Sequence, residues 1–238
     1  MDSRVNVKVD TRLEGRNIIV GIEGLDSVAR ALGDLQGRMP QAMKVSVNQT
    51  ARQARKLMIA AAKARYVVNA AGARHLNDLK PKKKATNSDP SATLFIAKMR
   101  NDLGYFENTP TQAYTGGDVF RHSPQFYKAR VLASSSMKDL PGKGNLSKGF
   151  LMRFESGHVG MVQRVIGSSS KNTETARGRP RWRNGQGRVE KLQTMGAPSA
   201  TAMHAQVWPE VRDEVELYLM ARIQDRVDWI LSRYRGKQ

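Results

Sequence analysis

The residues best suited to chemistry in this chain are the arginines of one segment, KNTETARGRPRWRNGQGR at residues 171–188. Glu174 is its only acid, and Gly and Pro stand where a core would need apolar side chains. Because such a segment buries too little apolar area to offset the entropy of ordering it, its composition predicts a flexible, cationic loop. The chemistry it offers is pairing with a polyanion or with an acidic partner. The candidate DNA- or partner-facing residues are Arg177, Arg179, Arg181, Trp182, Arg183 and Arg188.

The charge of the whole chain favours the same kind of partner. Of its 238 residues, 40 are Lys or Arg and 21 are Asp or Glu, which gives a formal net charge of +19. A surplus of this size bears on partners and solubility and says little about the fold. Nucleic acid is the leading expected partner, and a basic protein without a specific ligand is the alternative.

Residues that could form a catalytic or metal site are scattered along the chain. No histidine has a second histidine at the spacing of a helical metal site, and the chain has no cysteine. His158 lies beside a predicted hairpin turn, where we expect an exposed side chain without a role. The acids Asp213, Glu214, Glu216, Asp225 and Asp228 lie among arginines at salt-bridging spacing, which predicts a solvated or intersubunit helix face. We therefore expect no enzymatic activity, no metal site and no cofactor.

The amino terminus, MDSRVNVKVD, lacks the apolar region of a signal peptide. No apolar run approaches the ~20 residues that a membrane span needs. We therefore expect a soluble protein without a membrane partner, made in a reducing cytoplasm.

The first half of the chain carries the patterns of strands and helices. Val5, Val7 and Val9 alternate within residues 4–9 and predict a half-exposed strand, and residues 17–23 (NIIVGIE) predict a second strand. A short helix is expected to follow Gly24, and a long Ala-rich helix is expected from Pro40 to about residue 66. Residues 67–92, which include KPKKKATNSDPS, predict a flexible basic loop, as do residues 168–188.

The second half predicts further strands and one long helix. Strands are expected at residues 93–100, 127–134 and 189–194, and a hairpin is expected at 149–166 with its turn at Ser156-Gly157. The C-terminal helix either begins at Pro209 or begins near Ser199 and is kinked by Pro209. Its apolar stripe consists of Val211, Val215, Leu219, Ile223, Val227, Ile230, Leu231 and Tyr234.

This order of elements predicts an α+β fold. We expect an antiparallel sheet on which a long helix of the N-terminal half and the long C-terminal helix pack, with extended basic loops. One domain is expected over residues 1–238, with residues 1–16 as an N-terminal arm. Because an unpaired strand invites another chain and an apolar helix stripe suits packing between subunits, these elements are the expected assembly surfaces. The candidate assembly residues are Val5, Val7, Val9, Leu219, Ile223 and Val227.

Two stretches of the chain resemble a known family. IIVGIEGLDSVARALGDLQGRMPQAMKVSVNQTARQARKLM resembles the start of tailed-phage head–tail joining and tail-completion proteins, with a strand, a Gly-Leu pair, a short helix and a long Ala-rich helix. SGHVGMVQRVIG, followed by MGAPSATAM and a long terminal helix, is similar to the phage minor tail protein Z group. The resemblance covers about residues 17–66 and 149–235.

The resemblance implies a non-enzymatic structural protein of the virion. It would complete the tail and join it to the head as a ring, with a hexamer as one size, near the DNA path. The implied partners are further copies of the chain, the tail terminator, neck or connector proteins, and genomic DNA in the channel. The implied location is the tail or neck of the virion, and the host cytoplasm during assembly. The alternative from a different class is a free, sequence-independent nucleic-acid-binding protein.

Overall fold

The computed structural model describes residues 5–97, 101–115, 127–140, 148–154, 156–165 and 191–235. The fold is α+β, as predicted, with antiparallel sheets, one long helix in the N-terminal half and a second at the C-terminus. The chain forms two compact units. The first contains residues 1–63, 75–99 and 199–238, and the second contains residues 64–74 and 100–198.

The first unit is built on a four-stranded antiparallel sheet. Its strands are β1 (Lys8–Glu14), β2 (Asn17–Glu23), β3 (Leu79–Lys83) and β4 (Ser91–Ile96), in the order β1-β2-β4-β3. β1 and β2 form a hairpin closed at Glu14↔Asn17, and Gly15 takes a φ of 56° in the turn. A positive φ at this place matches the right-handed twist of the flanking strands, and glycine adopts it without steric cost.

Helices cover the apolar face of this sheet. α1 (Asp26–Leu32) leads through a 3-10 helix (Gly33–Arg38) into α2 (Met39–Arg65). The short helix α3 (Ala70–Leu76), most of which belongs to the second unit, precedes β3 in the chain. The strands alternate as a half-buried sheet requires. Ile18 and Val20 of β2 and Leu94 of β4 are buried, whereas Ile19 and Phe95 lie on the partly exposed face.

The C-terminal helix α4 (Ala200–Arg235) is one continuous helix that contains Pro209. Ser199 caps its start, since its hydroxyl accepts a hydrogen bond from Ala202 N at 3.2 Å. The apolar stripe from Val211 to Leu231 is buried. Of the two predicted starts, the one near Ser199 is therefore correct, and Pro209 is accommodated inside the helix.

The described residues of the second unit form three small antiparallel sheets. The hairpin of β9 (Phe150–Arg153) and β10 (Val159–Val165), with β11 (Lys191–Thr194) beside β10, forms the largest of them. β5 (Asn101–Asp102) pairs with β12 (Gly196–Ala197). The third sheet consists of β6 (Glu107–Thr109), β7 (Lys128–Arg130) and β8 (Lys138–Asp139). Phe150, Leu151 and Met161 lie at the centre of the unit's core.

Two predictions about local structure are wrong. Within the expected N-terminal arm, residues 5–16 are not unpaired, because β1 pairs with β2 along its whole length and Val5 N donates a hydrogen bond to Gln224 Oε1 of α4 at 2.9 Å; residues 1–4 lie outside the described residues. Residues 67–92 are not a continuous flexible loop, because they contain α3, β3 and the start of β4. The Lys-rich sequence that suggested a loop forms an edge strand, where charged side chains discourage pairing with another chain. The single-domain interpretation stays a prediction.

Candidate nucleic-acid interface

The predicted site residues fall into two sets. The Arg-rich set, Arg177 to Arg188, lies outside the described residues, and so does the rest of the 168–188 segment. The assembly set lies in the first unit, and its members differ in burial. Val7, Leu219, Ile223 and Val227 are buried within their own chain, whereas Val5 and Val9 are partly exposed. The assignment of the three α4 residues to an assembly surface is therefore corrected, since they form the core that holds α4 on its own sheet.

The opposite face of α4 exposes apolar side chains that the sequence interpretation did not single out. Leu217 is 64% exposed and Met220 is 39% exposed, and they lie one turn apart. The preceding two turns carry Glu210, Asp213 and Glu214, all exposed. We call Glu210, Asp213, Glu214, Leu217 and Met220 the α4 outer patch. It combines apolar side chains with three carboxylates, of which Asp213 pairs with the neighbouring Arg212, in a chain that is otherwise strongly basic.

A second surface of the same unit carries the opposite charge. α2 contains six cations and no Asp or Glu in 27 residues; the cations are Lys44, Arg52, Arg55, Lys56, Lys63 and Arg65. Arg55 has a structural role, because its guanidinium donates to Leu79 O at 2.6 Å and to Asn77 O at 3.0 Å. Arg52 and Lys56 are exposed and have no carboxylate partner among the described residues.

Between α2 and α4 these cations line an open depression of about 270 Å³. Its walls are Gln49, Arg52, Gln53 and Lys56 of α2, and Tyr218 and Arg222 of α4. Arg222 joins the two helices, since both Nε and Nη2 donate to Gln49 Oε1 at 3.0 Å. Its Nη1 contacts Asp225 Oδ2 at 2.8 Å. The depression is therefore held open by a fixed guanidinium and lined by two further cations.

The cationic surface continues along α4 beyond the depression. Arg222, Arg226, Trp229 and Arg233 recur at spacings of four, three and four residues, which places them on one helix face. Trp229 is 45% exposed, with the guanidinium carbon of Arg226 5.8 Å and that of Arg233 5.1 Å from its ring centre. Arg226 Nε is buried and has no hydrogen-bond partner among the described residues. We call Arg52, Lys56, Tyr218, Arg222, Arg226, Trp229 and Arg233 the α2–α4 basic face.

In the second unit, the structure brings together two residues far apart in sequence, Asp102 and His158. Asp102 Oδ1 accepts hydrogen bonds from Gly104 N and Met161 N, each at 2.7 Å, and His158 Nε2 lies 3.3 Å from Oδ2. The His158 ring stacks on Phe154 and meets Tyr105 edge-on, each with centroids 5.5 Å apart. The side chain of His158 is 37% exposed, and its contacts show that the expectation of a residue without a structural role is wrong.

This cluster has the features of a structural clamp. The buried Asp102 carboxylate joins the turn after β5 to β10, because it accepts backbone hydrogen bonds from both. A Cβ at Gly160 would collide with Asp102 Oδ2, so glycine is needed for the approach. Burial, and then the charge of Asp102, raises the pKa of Tyr105. Within the described ranges, no group of His, Asp, Glu or Cys side chains is arranged to hold a metal ion.

His204 in the first unit is fully buried on α4. Its Nε2 lies 3.1 Å from Leu76 O, and its Nδ1 has no partner among the residues described. Burial lowers the pKa of His204, and the contact with Leu76 opposes that shift. The side chain is therefore neutral, with Nε2 as the donor, and serves packing.

Comparison of the chain with protein-family models, curated proteins and solved structures found no match. The resemblance to phage tail proteins therefore stays a prediction. None of the helices in the described part of the chain has the length and apolar content to cross a bilayer. The acid-free composition of α2 was available in the sequence and could have identified the basic face. The pairing of Asp102 with His158 depends on the tertiary fold and left no signal in residue spacing.

Proposed function

We propose that this protein is a structural component of a phage tail or neck that completes the tail and joins it to the head as a ring near the DNA path. The elements formed by the two stretches that carry the resemblance support the proposal. Residues 17–65 fold as β2, a Gly24-Leu25 connection, α1 and the long helix α2. Residues 150–235 contain the β9–β10 hairpin and an Ala-Pro segment that leads into α4. This is the order of local structures that the resemblance implies.

The observation that carries the ring proposal is the α4 outer patch. Leu217 and Met220 are large apolar side chains that α4 presents to solvent, on the face opposite the stripe that it buries. Apolar surface bordered by charged residues is typical of a protein–protein contact. A further copy of this chain is the partner that the charges favour, because the acidic patch is complementary to most of the surface of a protein with a net charge of +19.

The same charges favour a ring over a two-fold dimer. In a two-fold contact around this patch, the exposed Glu214 would lie near its own copy, and like charges would repel. A contact between the acidic patch and a different, basic surface of the neighbour avoids this repulsion. Contacts between two different surfaces generate rings when the rotation closes.

The experiment that tests this proposal is native mass spectrometry of the purified chain over a range of concentrations. We expect one closed oligomer of fixed size, and we expect Leu217→Asp to return it to a monomer that is still folded by circular dichroism. Leu217→Met is the matched control and should keep the oligomer. A monomer at every concentration would contradict the proposal.

The alternative function, a free nucleic-acid-binding protein, is favoured by the α2–α4 basic face. It predicts a monomer or dimer that binds nucleic acid tightly without assembling. The mass-spectrometry experiment separates the two, because only the structural function requires a closed oligomer.

A further inference from the structure

We propose that the α2–α4 basic face is a binding site for the phosphate backbone of duplex DNA. The inference goes beyond assembly, and it rests on the proposed function only in the choice of DNA as the nucleic acid. It concerns described residues of the first unit and is separate from the Arg-rich segment.

The first argument is the absence of compensating acids. Arg52, Lys56, Arg226 and Arg233 have no carboxylate partner among the described residues, whereas Lys8, Arg12 and Lys80 on the sheet are all paired with one. Arg222 is the one cation of the face with an acid, Asp225, beside it. Unpaired cations on one surface repel one another, and a polyanion relieves that repulsion by releasing its counterions.

The second argument is the length of the face. From Arg222 to Arg233 the helix rises about 16 Å at 1.5 Å per residue. Duplex DNA carries one charge per about 1.7 Å of axis, so this length spans about ten phosphates, half of them on the strand nearer the protein. Arg222, Arg226 and Arg233 lie along this length and can each meet one of those phosphates, while Arg52 and Lys56 lie on α2 beside Arg222. This arrangement suits a rod-like polyanion that lies along α4.

The third argument is the shape and chemistry of the surface. The open depression between Gln49, Arg52, Lys56 and Arg222 is lined by donors, and Arg222 is fixed in it by Gln49. Arg226 contributes a buried Nε without a partner, at the edge of the same face. A phosphate oxygen accepts hydrogen bonds from such donors, and a fixed guanidinium loses little entropy when it binds.

The same features argue against an acidic protein as the occupant. Protein interfaces have a core of apolar and aromatic side chains depleted in charge, whereas here most of the side chains are cations. The exposed aliphatic side chains of α4 lie in the outer patch, on another face of the helix. Contacts to phosphate carry no sequence information, so the site should bind duplexes of different sequence equally.

The test is the salt dependence of binding to a fluorescein-labelled random-sequence duplex, followed by fluorescence anisotropy between about 50 and 200 mM NaCl. The face variant changes three exposed cations, Arg52→Gln, Lys56→Gln and Arg233→Gln. The control variant removes the same charge from the sheet surface through Lys8→Gln, Arg12→Gln and Lys80→Gln. Thermal melting of both variants, followed by circular dichroism, establishes that each is folded.

We expect the face variant to reduce the slope of log affinity against log salt by about 2.7, since each phosphate contact contributes about 0.9. Between the two salt concentrations, the factor by which the affinity falls should be about 40 times smaller for the face variant than for the unchanged protein. The control variant should change the slope by less than about one unit. A shuffled duplex should give the same values.

Three results would overturn the proposal. The first is that the unchanged protein does not bind the duplex. The second is that the two variants change the salt slope equally. The third is that the face variant loses affinity for labelled polyglutamate while its salt slope for the duplex stays unchanged. The last result would assign the face to an acidic protein.

Native mass spectrometry of the same samples separates this site from assembly. An intact ring whose salt slope for DNA binding is reduced leaves the ring proposal standing. A monomer with an intact slope contradicts the ring proposal and leaves the DNA site standing.

Discussion

Replacing Leu219 by Asp should unfold the first unit, whereas the same replacement at Leu217, two residues earlier, should leave it folded. Leu219 is fully buried and Leu217 is 64% exposed on the same helix. Removing a buried Leu side chain costs about 2–5 kcal/mol of unfolding free energy, because apolar contacts are lost and a cavity remains. A polar group buried without a partner costs a further ~1–3 kcal/mol. The sum approaches the total stability of an ordinary domain, about 5–15 kcal/mol.

The assay is urea denaturation followed by circular dichroism, with soluble yield recorded for each variant. We expect Leu219→Asp to be insoluble or to lose most of its unfolding free energy. Leu217→Asp should stay within about 0.5 kcal/mol of the unchanged protein, as exposed substitutions do, when both are compared at a concentration at which they are monomers. Leu219→Ala is the graded variant and should cost about 2–5 kcal/mol. Native stability of Leu219→Asp would refute the packing of α4 on the sheet, and an unfolded Leu217→Asp would refute the exposure of the outer patch.

Three other predictions follow from the structure and the sequence. Deleting residues 1–15 should lower the melting temperature, because β1 pairs with β2 in the sheet. The control is a chain that lacks only residues 1–4, and equal melting temperatures for the two truncated chains would contradict the prediction. Burial lowers the pKa of His204 in the folded protein below its unfolded value near 6.5. The contribution of the neutral side chain to folding stability is therefore complete above pH 6.5 and is lost as the pH falls toward the pKa of the folded state. The decline should reach at most about 1.4 kcal/mol per pH unit in urea titrations and be absent in His204→Gln; an identical pH profile for both proteins would count against it. The triple variant of the Arg-rich segment carries Arg179→Ser, Arg181→Ser and Arg183→Ser. It should reduce the slope of log DNA affinity against log salt by two or three units without changing the melting temperature. An unchanged slope would show that the segment does not contact phosphate.

The fold could be predicted from the sequence where local patterns are strong. The alternation of NIIVGIE predicted β2 at residues 17–23, and the Ala-rich periodicity after Pro40 predicted α2 to within one residue of each end. The stripe of α4 was also recognised, and its burial is what the periodicity implies. Because each of these elements buries one face along its whole length, its apolar residues recur with the period of a strand or a helix.

The prediction was wrong where tertiary pairing overrides composition. The lysines of residues 80–84 suggested a loop, yet β3 forms because β4 supplies backbone partners, and an edge strand tolerates charge and Pro81. Val5, Val7 and Val9 alternate like an isolated strand, whereas the strand lies at Lys8–Glu14 and is fixed by its register with β2. Residue periodicity indicates which face is apolar and does not indicate which segment covers it.

The candidate sites follow the same division. An excess of cations is a property of composition, so a basic surface was predicted on the Arg-rich segment, which lies outside the described residues, whereas the surface on α2 and α4 was not proposed. The α2–α4 basic face requires two helices separated by more than 130 residues to lie side by side. They do so in the structure, where Ser46 Oγ of α2 donates a hydrogen bond to Arg222 O of α4 at 3.2 Å. Leu219, Ile223 and Val227 were assigned to assembly because an apolar stripe looks the same whether a sheet or another subunit covers it.

The measurement that tests the central claim most directly is electron microscopy of phage particles made with and without this protein. A phage with an early stop codon in this gene, grown with and without a plasmid copy, supplies the matched pair. We predict that lysates lacking the protein contain DNA-filled heads and separate, unattached tails, and that the plasmid copy restores joined virions while one encoding Leu217→Asp does not. Normal joined particles without the protein, together with its absence from purified virions, would contradict the account.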